Sequence, residues 1–291
     1  MIGFDEKFDN SILKRELDLS GITYESVGRS WLGKKIYCIK LGTGEKNIAF
    51  LCSYNATETL CGQFLLRWAE EISISEKNDE KYLNYNIKNL LQKITIYIVP
   101  LPNPDGVELV KKGLNMQNPF YDRIKKITPE MDFSNWQSNM RGVDLCRNHD
   151  GEWINGKRLE KKLGTMTASK YGYGGEYPES EKESSSISYF IRRLEPDSVF
   201  YISLGDGEIC SGTKNSDPHD SSKVAELIAK YSGLKYDPDK KDNFNSLKIW
   251  ISDGLSIPFF EINLDKSQVN EPEKLYSVVR DWFIVSCAVA P

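Results

Sequence analysis

The sequence predicts an α/β fold in which a mixed sheet is sandwiched between helices. Two observations predict it. Continuously apolar runs recur at residues 47–53, 94–99, 199–204 and 257–264, the pattern of strands covered on both faces. Between them lie stretches whose apolar residues return every three or four positions, the pattern of helices with one buried stripe.

Residues 22–27 and 35–41 alternate apolar and polar side chains around Gly33 and read as a hairpin. The run NIAFLCS then enters a small polar turn holding Asn55 and Glu58. A helix follows, with its stripe at Leu60, Cys61, Phe64, Leu65, Trp68 and Ile72. The strand at 94–99 leads to an Asn-Pro-Asp-Gly turn. Residues 113–178 carry few periodic signals, and unstructured stretches of that length in a compact domain are usually functional. Ser180 followed by Glu183 has the spacing of a capping box for a helix at 181–193. The strand at 199–204 ends at Gly205, a helix covers 221–232, and the last strand carries one acid, Glu261. A helix at 272–288 closes the order. Sheets of this kind bind ligands beyond the carboxyl ends of their strands, which marks Glu58, Gly205 and the residues beside the Asn-Pro-Asp-Gly turn.

The composition excludes several classes. With 291 residues, 40% of them hydrophobic, the chain can bury a large core, and no linker or internal repeat divides it. A single domain over 1–291 is expected. The net charge of -4 argues against a nucleic-acid partner, and the basic stretch 157–162 and the pair Lys240 and Lys241 read as solvated loops. No window approaches the ~18 apolar residues of a membrane span, so no membrane partner is expected. The opening residues MIGFDEKFDN lack the pattern of a signal peptide. Six cysteines without CxxC spacing suit reduced thiols, which places the protein in the cytoplasm.

Seven blocks in order resemble the zinc carboxypeptidases: VGRSWLGKKIYCIKLG, SYNATETL, VPLPNPDGVELV, NMRGVDLCRNHDGEW, YGGEYPESEKES, VFYISLGDGE and LKIWISDGLSIPFFEINL. The chain looks most like the bacterial branch that cleaves γ-D-glutamyl-diaminopimelate bonds of cell-wall peptides. The resemblance implies a three-layer α/β/α sandwich around a sheet of about eight strands, a usual size for large sheets. It also implies one cleft holding the turn at 55–58, Gly205 and Glu261.

In the family that this chain resembles, zinc is held by a histidine and a glutamate of an H-x-x-E turn and by a histidine from a later strand. Here the turn reads NATE, so Asn55 stands at the first histidine and Glu58 is kept, while Gly205 stands at the second histidine. Zinc sites of catalytic type take three protein ligands and a water. One carboxylate with one amide falls short of that set, so no metal cofactor is expected. Glu261 matches the general base, which is idle where no metal acidifies a water. Arg141 and Arg147 match arginines that grip a substrate carboxylate and polarise the scissile carbonyl, tasks suited to guanidinium forks. Cys146 stands where an asparagine usually precedes the second arginine, and a thiol is the poorer donor. Thr57 stands where an arginine is usual.

Three readings follow. The first is a degenerate carboxypeptidase, a pseudoenzyme that keeps the cleft to bind peptides such as cell-wall stem peptides. The second is an active zinc peptidase with an altered ligand set, including one rebuilt from Glu58, Asp206, His149 and a cysteine. The third is a thiol enzyme using Cys146 with His149. The first accounts for the joint loss of both histidines and is the one expected. His219, in a polar loop, matches no ligand position.

Overall fold

The computed structural model describes residues 3–4, 7–213, 215–238, 244 and 246–290. Lys240 and Lys241 lie outside the described residues. The chain begins with a helix absent from the sequence reading, α1 (Asn10–Ser20). The Asp9 carboxylate caps it by accepting from the N–H groups of Ser11 and Ile12, and Gly21 ends it in the left-handed conformation. The expected hairpin is β1 (Tyr24–Arg29) and β2 (Lys35–Gly42). Next, β3 (Lys46–Cys52) runs into α2 (Thr59–Lys77). A small ribbon, β4 (Lys81–Tyr82) and β5 (Tyr85–Asn86), and a short α3 (Ile87–Leu91) lead to β6 (Ile94–Val99).

The Asn-Pro-Asp-Gly segment is the start of a helix as well as a turn. Asn103 caps α4 (Pro104–Lys112) by accepting from the Gly106 N–H, and Pro104 occupies the first turn, where a missing donor costs nothing. Two helices interrupt the long irregular stretch, α5 (Tyr121–Ile127) and α6 (Trp153–Leu163). The basic residues 157–162 therefore lie on a helix, not in a loop. Its buried face carries Gly156 and Glu160 in place of an apolar stripe, so periodicity could not reveal it.

Helix α7 (Lys182–Leu194) starts one residue later than expected, with Glu181 as its cap residue and no side-chain cap bond. The capping box is not formed. Ser180 Oγ instead accepts from Asn148 Nδ2 at 2.9 Å, and the Glu183 carboxylate accepts from the Trp31 N–H at 3.3 Å. Beyond α7 lie β7 (Ser198–Gly205), β8 (Glu208–Ser211), α8 (Ser221–Ser232) and β9 (Lys235–Tyr236). A short α9 (Ser246–Ile249) continues as a π-helical turn, Trp250–Gly254. Strand β10 (Phe259–Asp265) and α10 (Pro272–Val289) complete the order.

Among the described residues, eight strands form one mixed sheet in the order β1-β2-β6-β3-β7-β10-β8-β9. Its centre, β6-β3-β7-β10, is parallel, and the pairs β1/β2, β2/β6 and β10/β8 are antiparallel. Two apolar clusters cover its faces. One packs Phe50, Phe200 and Phe260 against α2, α8 and α10, and these rings stack across three strands at 5.1 and 4.7 Å. The other packs Ala49, Val199 and Phe259 against Ile187, Phe190 and Ile191 of α7 and Trp250. The architecture is thus the expected α/β/α sandwich. Each fully buried phenylalanine contributes roughly 2–3 kcal/mol, so the central strands are held firmly beneath whatever their carboxyl ends carry.

Among the described residues no helix is long and apolar enough to cross a membrane. All six cysteines are free thiols, five of them buried.

Candidate functional site

Side chains alternate along a strand, so residues 199, 201, 203 and 205 of β7 share a face, as do 259, 261 and 263 of β10. On both strands that face changes chemistry half-way. Val199 and Phe259 belong to the core beneath α7, whereas Ser203, Glu261 and Asn263 line a cavity of about 620 Å³. The register pairs Tyr201 with Glu261 and Ser203 with Asn263. The cavity lies at the carboxyl ends of parallel strands, and Asn55 and Glu58 from the β3–α2 turn also line it.

The acidic wall is Glu58 and Glu261. Asn55 Nδ2 donates to Glu58 Oε1 at 2.8 Å, and the Leu204 N–H donates to Glu58 Oε2 at 3.3 Å. Asn55 Oδ1 accepts from the Thr57 N–H and hydroxyl at 3.1 and 2.9 Å. Burial pushes the Glu58 carboxyl up to about 7 against these donors, and the neighbouring Glu261 charge pushes the same way. Glu261 is 8% exposed, and its Oε2 accepts a long bond from the Cys210 thiol at 3.8 Å. Gly205 offers no room for a side chain. A Cβ there would lie 2.6 Å from Asn263 Cβ and 3.0 Å from Asn263 Oδ1, and Ser203 Oγ holds that amide by donating to Oδ1 at 2.7 Å.

The opposite wall comes from the long stretch between α5 and α6. Buried Asn148 ties it down, donating to Gly174 O at 2.6 Å and accepting from the Glu181 N–H at 3.0 Å. In the preceding 3-10 turn, Leu145–Arg147, the Arg147 guanidinium pairs with Asp144 at 3.6 Å, and its Nη1 has no hydrogen-bond partner among the described residues. Cys146 Sγ lies 3.2 Å from Tyr201 OH. Among the described residues, the charged side chains lining the cavity are Glu58, Asp144, Glu261 and Arg147. The described lining thus carries three acids and one base, not the positive surface that a pair of arginines would give.

Arg141 is not among the lining residues. Gly142, with φ 72°, closes a turn back to Asn139. The guanidinium pairs with buried Glu181 at 3.1 Å and lies 4.4 Å from the centre of the Trp31 ring. His149 is fully buried, stacked on Trp250 at 5.5 Å with its Nδ1 3.0 Å from Ser188 Oγ. Burial holds it neutral, its pKa lowered to about 3. It does not meet Cys146, whose partner is Tyr201, so the geometry gives the thiol reading no base. Asp206 is exposed and paired with Lys266, and His219 is exposed. Among the described residues no group of three or more His, Cys, Asp or Glu side chains gathers in metal-binding array.

Sequence reasoning missed Gln137, Asp144, Tyr201, Ser203 and Asn263 as lining residues. The strand period could have supplied three of them. Tyr201, Ser203 and Asn263 follow from the face that Gly205 and Glu261 share.

A family profile described as Zinc carboxypeptidase matches residues 16–249. The chain belongs to the zinc carboxypeptidase family. Among curated relatives, it is 25% identical over 280 residues to the uncharacterized protein YqgT of Bacillus subtilis (strain 168), covering 93% of this chain and 73% of that protein. It is 24% identical over 271 residues to gamma-D-glutamyl-L-diamino acid endopeptidase 1 of Lysinibacillus sphaericus, covering 91% and 67%. Among solved structures, thrombin activatable fibrinolysis inhibitor superposes with a TM-score of 0.70 at 19% identity, covering 97% of this chain and 77% of the other. Murein-tripeptide amidase MpaA from Escherichia coli O157 gives 0.56 at 18% identity, covering 90% and 91%. These likenesses match the fold and the bacterial relatives that the sequence motifs implied.

Proposed function

We propose that this chain is a zinc-carboxypeptidase fold that has given up its metal and uses the old cleft to bind a peptide. The observation that carries the reading is at Gly205. Asn263 fills the space a ligating side chain would need there. Asn55 turns its amide N–H toward Glu58 and spends its carbonyl oxygen on Thr57. Glu58 accepts one N–H on each oxygen and keeps lone pairs free, so it remains as a single carboxylate at the old metal position. Zinc wants three or four nitrogen, sulfur or oxygen ligands, and one carboxylate beside a closed glycine and an engaged amide does not supply them. Glu261 then has no acidified water to deprotonate, so no hydrolytic step is assigned to it.

Arg147 supports a carboxylate-bearing ligand, because it lines the cavity, its Nη1 has no hydrogen-bond partner among the described residues, and guanidinium prefers carboxylate. The names of two relatives, a diamino acid endopeptidase and a murein-tripeptide amidase, direct the choice of peptide to cell-wall stem peptides. Calorimetric titration of a stem tripeptide into the wild type and Arg147→Ala tests this. Binding by the wild type alone, with no product formed over a day, supports the reading. Metal-dependent cleavage would move the assignment to an active peptidase with an altered ligand set.

A further inference from the structure

The cleft has an unbalanced charge distribution. Glu58 and Glu261 share one wall, and no Lys, Arg or His among the described residues forms an ion pair with either. Arg147, the one cationic side chain among the described residues that line the cavity, is engaged by Asp144 on the other wall. Two carboxylates at one place in a low-dielectric cavity repel each other and favour a cation between them. A second, independent feature marks the same wall as a ligand site. Asn263 is 3% exposed and lines the cavity, and its Nδ2 has no hydrogen-bond partner among the described residues. Buried donors in native proteins are nearly always satisfied, so this amide is set for a ligand oxygen.

We propose that the Glu58–Glu261 wall holds a primary ammonium group of the bound peptide. The ligand's carboxylate lies against Arg147, and one of its carbonyl oxygens accepts from Asn263 Nδ2. A cationic group of the ligand thereby stands in the region where the family's fold carries its metal. The inference rests on the peptide-binding reading and narrows it to zwitterionic ligands. A cavity of about 620 Å³ falls in the usual range for small-molecule sites and suits a ligand of peptide or amino-acid size. Ligands with a carboxylate but no amine leave both acids uncompensated and bind poorly.

The test uses alanyl peptides of two, three and four residues, each with a free or an acetylated amino terminus, titrated calorimetrically into the wild-type protein. The length series finds the spacing at which amine and carboxylate reach both walls. The expected result is that acetylation of the best-fitting peptide weakens binding by about ten- to a hundredfold, the size of a charge-assisted hydrogen bond. Glu261→Gln, which keeps the shape, should bring the free peptide down to the acetylated level and leave the acetylated peptide unchanged. Equal binding of free and acetylated peptides, with Arg147→Ala still weakening both, overturns the ammonium site and leaves the peptide cleft standing. No binding of any peptide overturns the peptide reading itself. The wild-type comparison of the two peptide forms decides the matter even if the Gln variant does not fold.

Discussion

Adding a single carbon at Gly205 tests whether the second histidine position is closed. An ideal Cβ there sits 2.6 Å from Asn263 Cβ, 3.0 Å from Oδ1 and 3.1 Å from Cγ, well inside contact distance. Gly205 is not in the left-handed region, so the penalty of Gly205→Ala is one of packing alone. Asn263 cannot swing away freely, since it is buried and its Oδ1 holds Ser203. Overpacking of this kind costs roughly 1–3 kcal/mol, a fall in Tm of about 2–4 °C for each kcal/mol. Asn263→Gly removes the opposing atoms, so the two changes together should be less harmful than their sum. Thermal unfolding of the four proteins gives the coupling, expected at 1 kcal/mol or more by the order of magnitude for residues in contact. The same logic extends to metal binding. Asn55→His with Gly205→His should fail to bind zinc, and adding Asn263→Gly should permit it. A Gly205→Ala protein as stable as the wild type, with no coupling to Asn263→Gly, would refute the reasoning.

Three further outcomes follow from the same geometry. His149 is held neutral with its pKa lowered from 6.5 to about 3, so below 6.5 the unfolded chain binds a proton that the native protein refuses, and stability falls with pH; at pH 5 the loss is about 2 kcal/mol. Glu58 and Glu183, raised to about 7 and about 8 by burial, act with the opposite sign as pH falls from those values toward 4.5, so the His149 contribution is read as the difference in pH slope between the wild type and His149→Phe in urea titrations. Arg141→Ala should cost about 3 kcal/mol by unpairing buried Glu181 yet leave peptide affinity unchanged, while Arg147→Ala should weaken affinity at least tenfold, about 1.4 kcal/mol, and cost less stability. Burial raises the Cys146 thiol well above its ordinary range, so iodoacetamide at pH 8 should label it far more slowly in the native protein than in urea; fast native labelling would restore the thiol reading.

The central strands were legible because each is a nearly unbroken apolar run, and the hairpin strands because their side chains alternate. Residues 94–99 coincide with β6, and 47–53 differs from β3 by one residue at each end. The short strands β8 and β9 and the helices α5 and α6 were not, since their burial comes from a few residues or from polar pairs such as Lys157 with Glu160. At the site, Asn55, Glu58, Glu261, Cys146 and Arg147 line one cavity, whereas Gly205, expected in the same cleft, is not among its lining residues. Arg141 does not line it either, because the turn at Asn139–Gly142 decides which way it points, and residue spacing in a loop carries no direction. The filling of position 205 by Asn263 was legible only in principle. It depends on how far apart two neighbouring strands settle, which packing fixes and sequence does not print.

The central claim is that this carboxypeptidase cleft is not a zinc site, and calorimetric titration of zinc into metal-stripped wild-type protein tests it most directly, with Glu58→Ala as the comparison. The account predicts no stoichiometric binding and traces that overlay for the two proteins. One equivalent of zinc bound tightly by the wild type and lost in Glu58→Ala would contradict it.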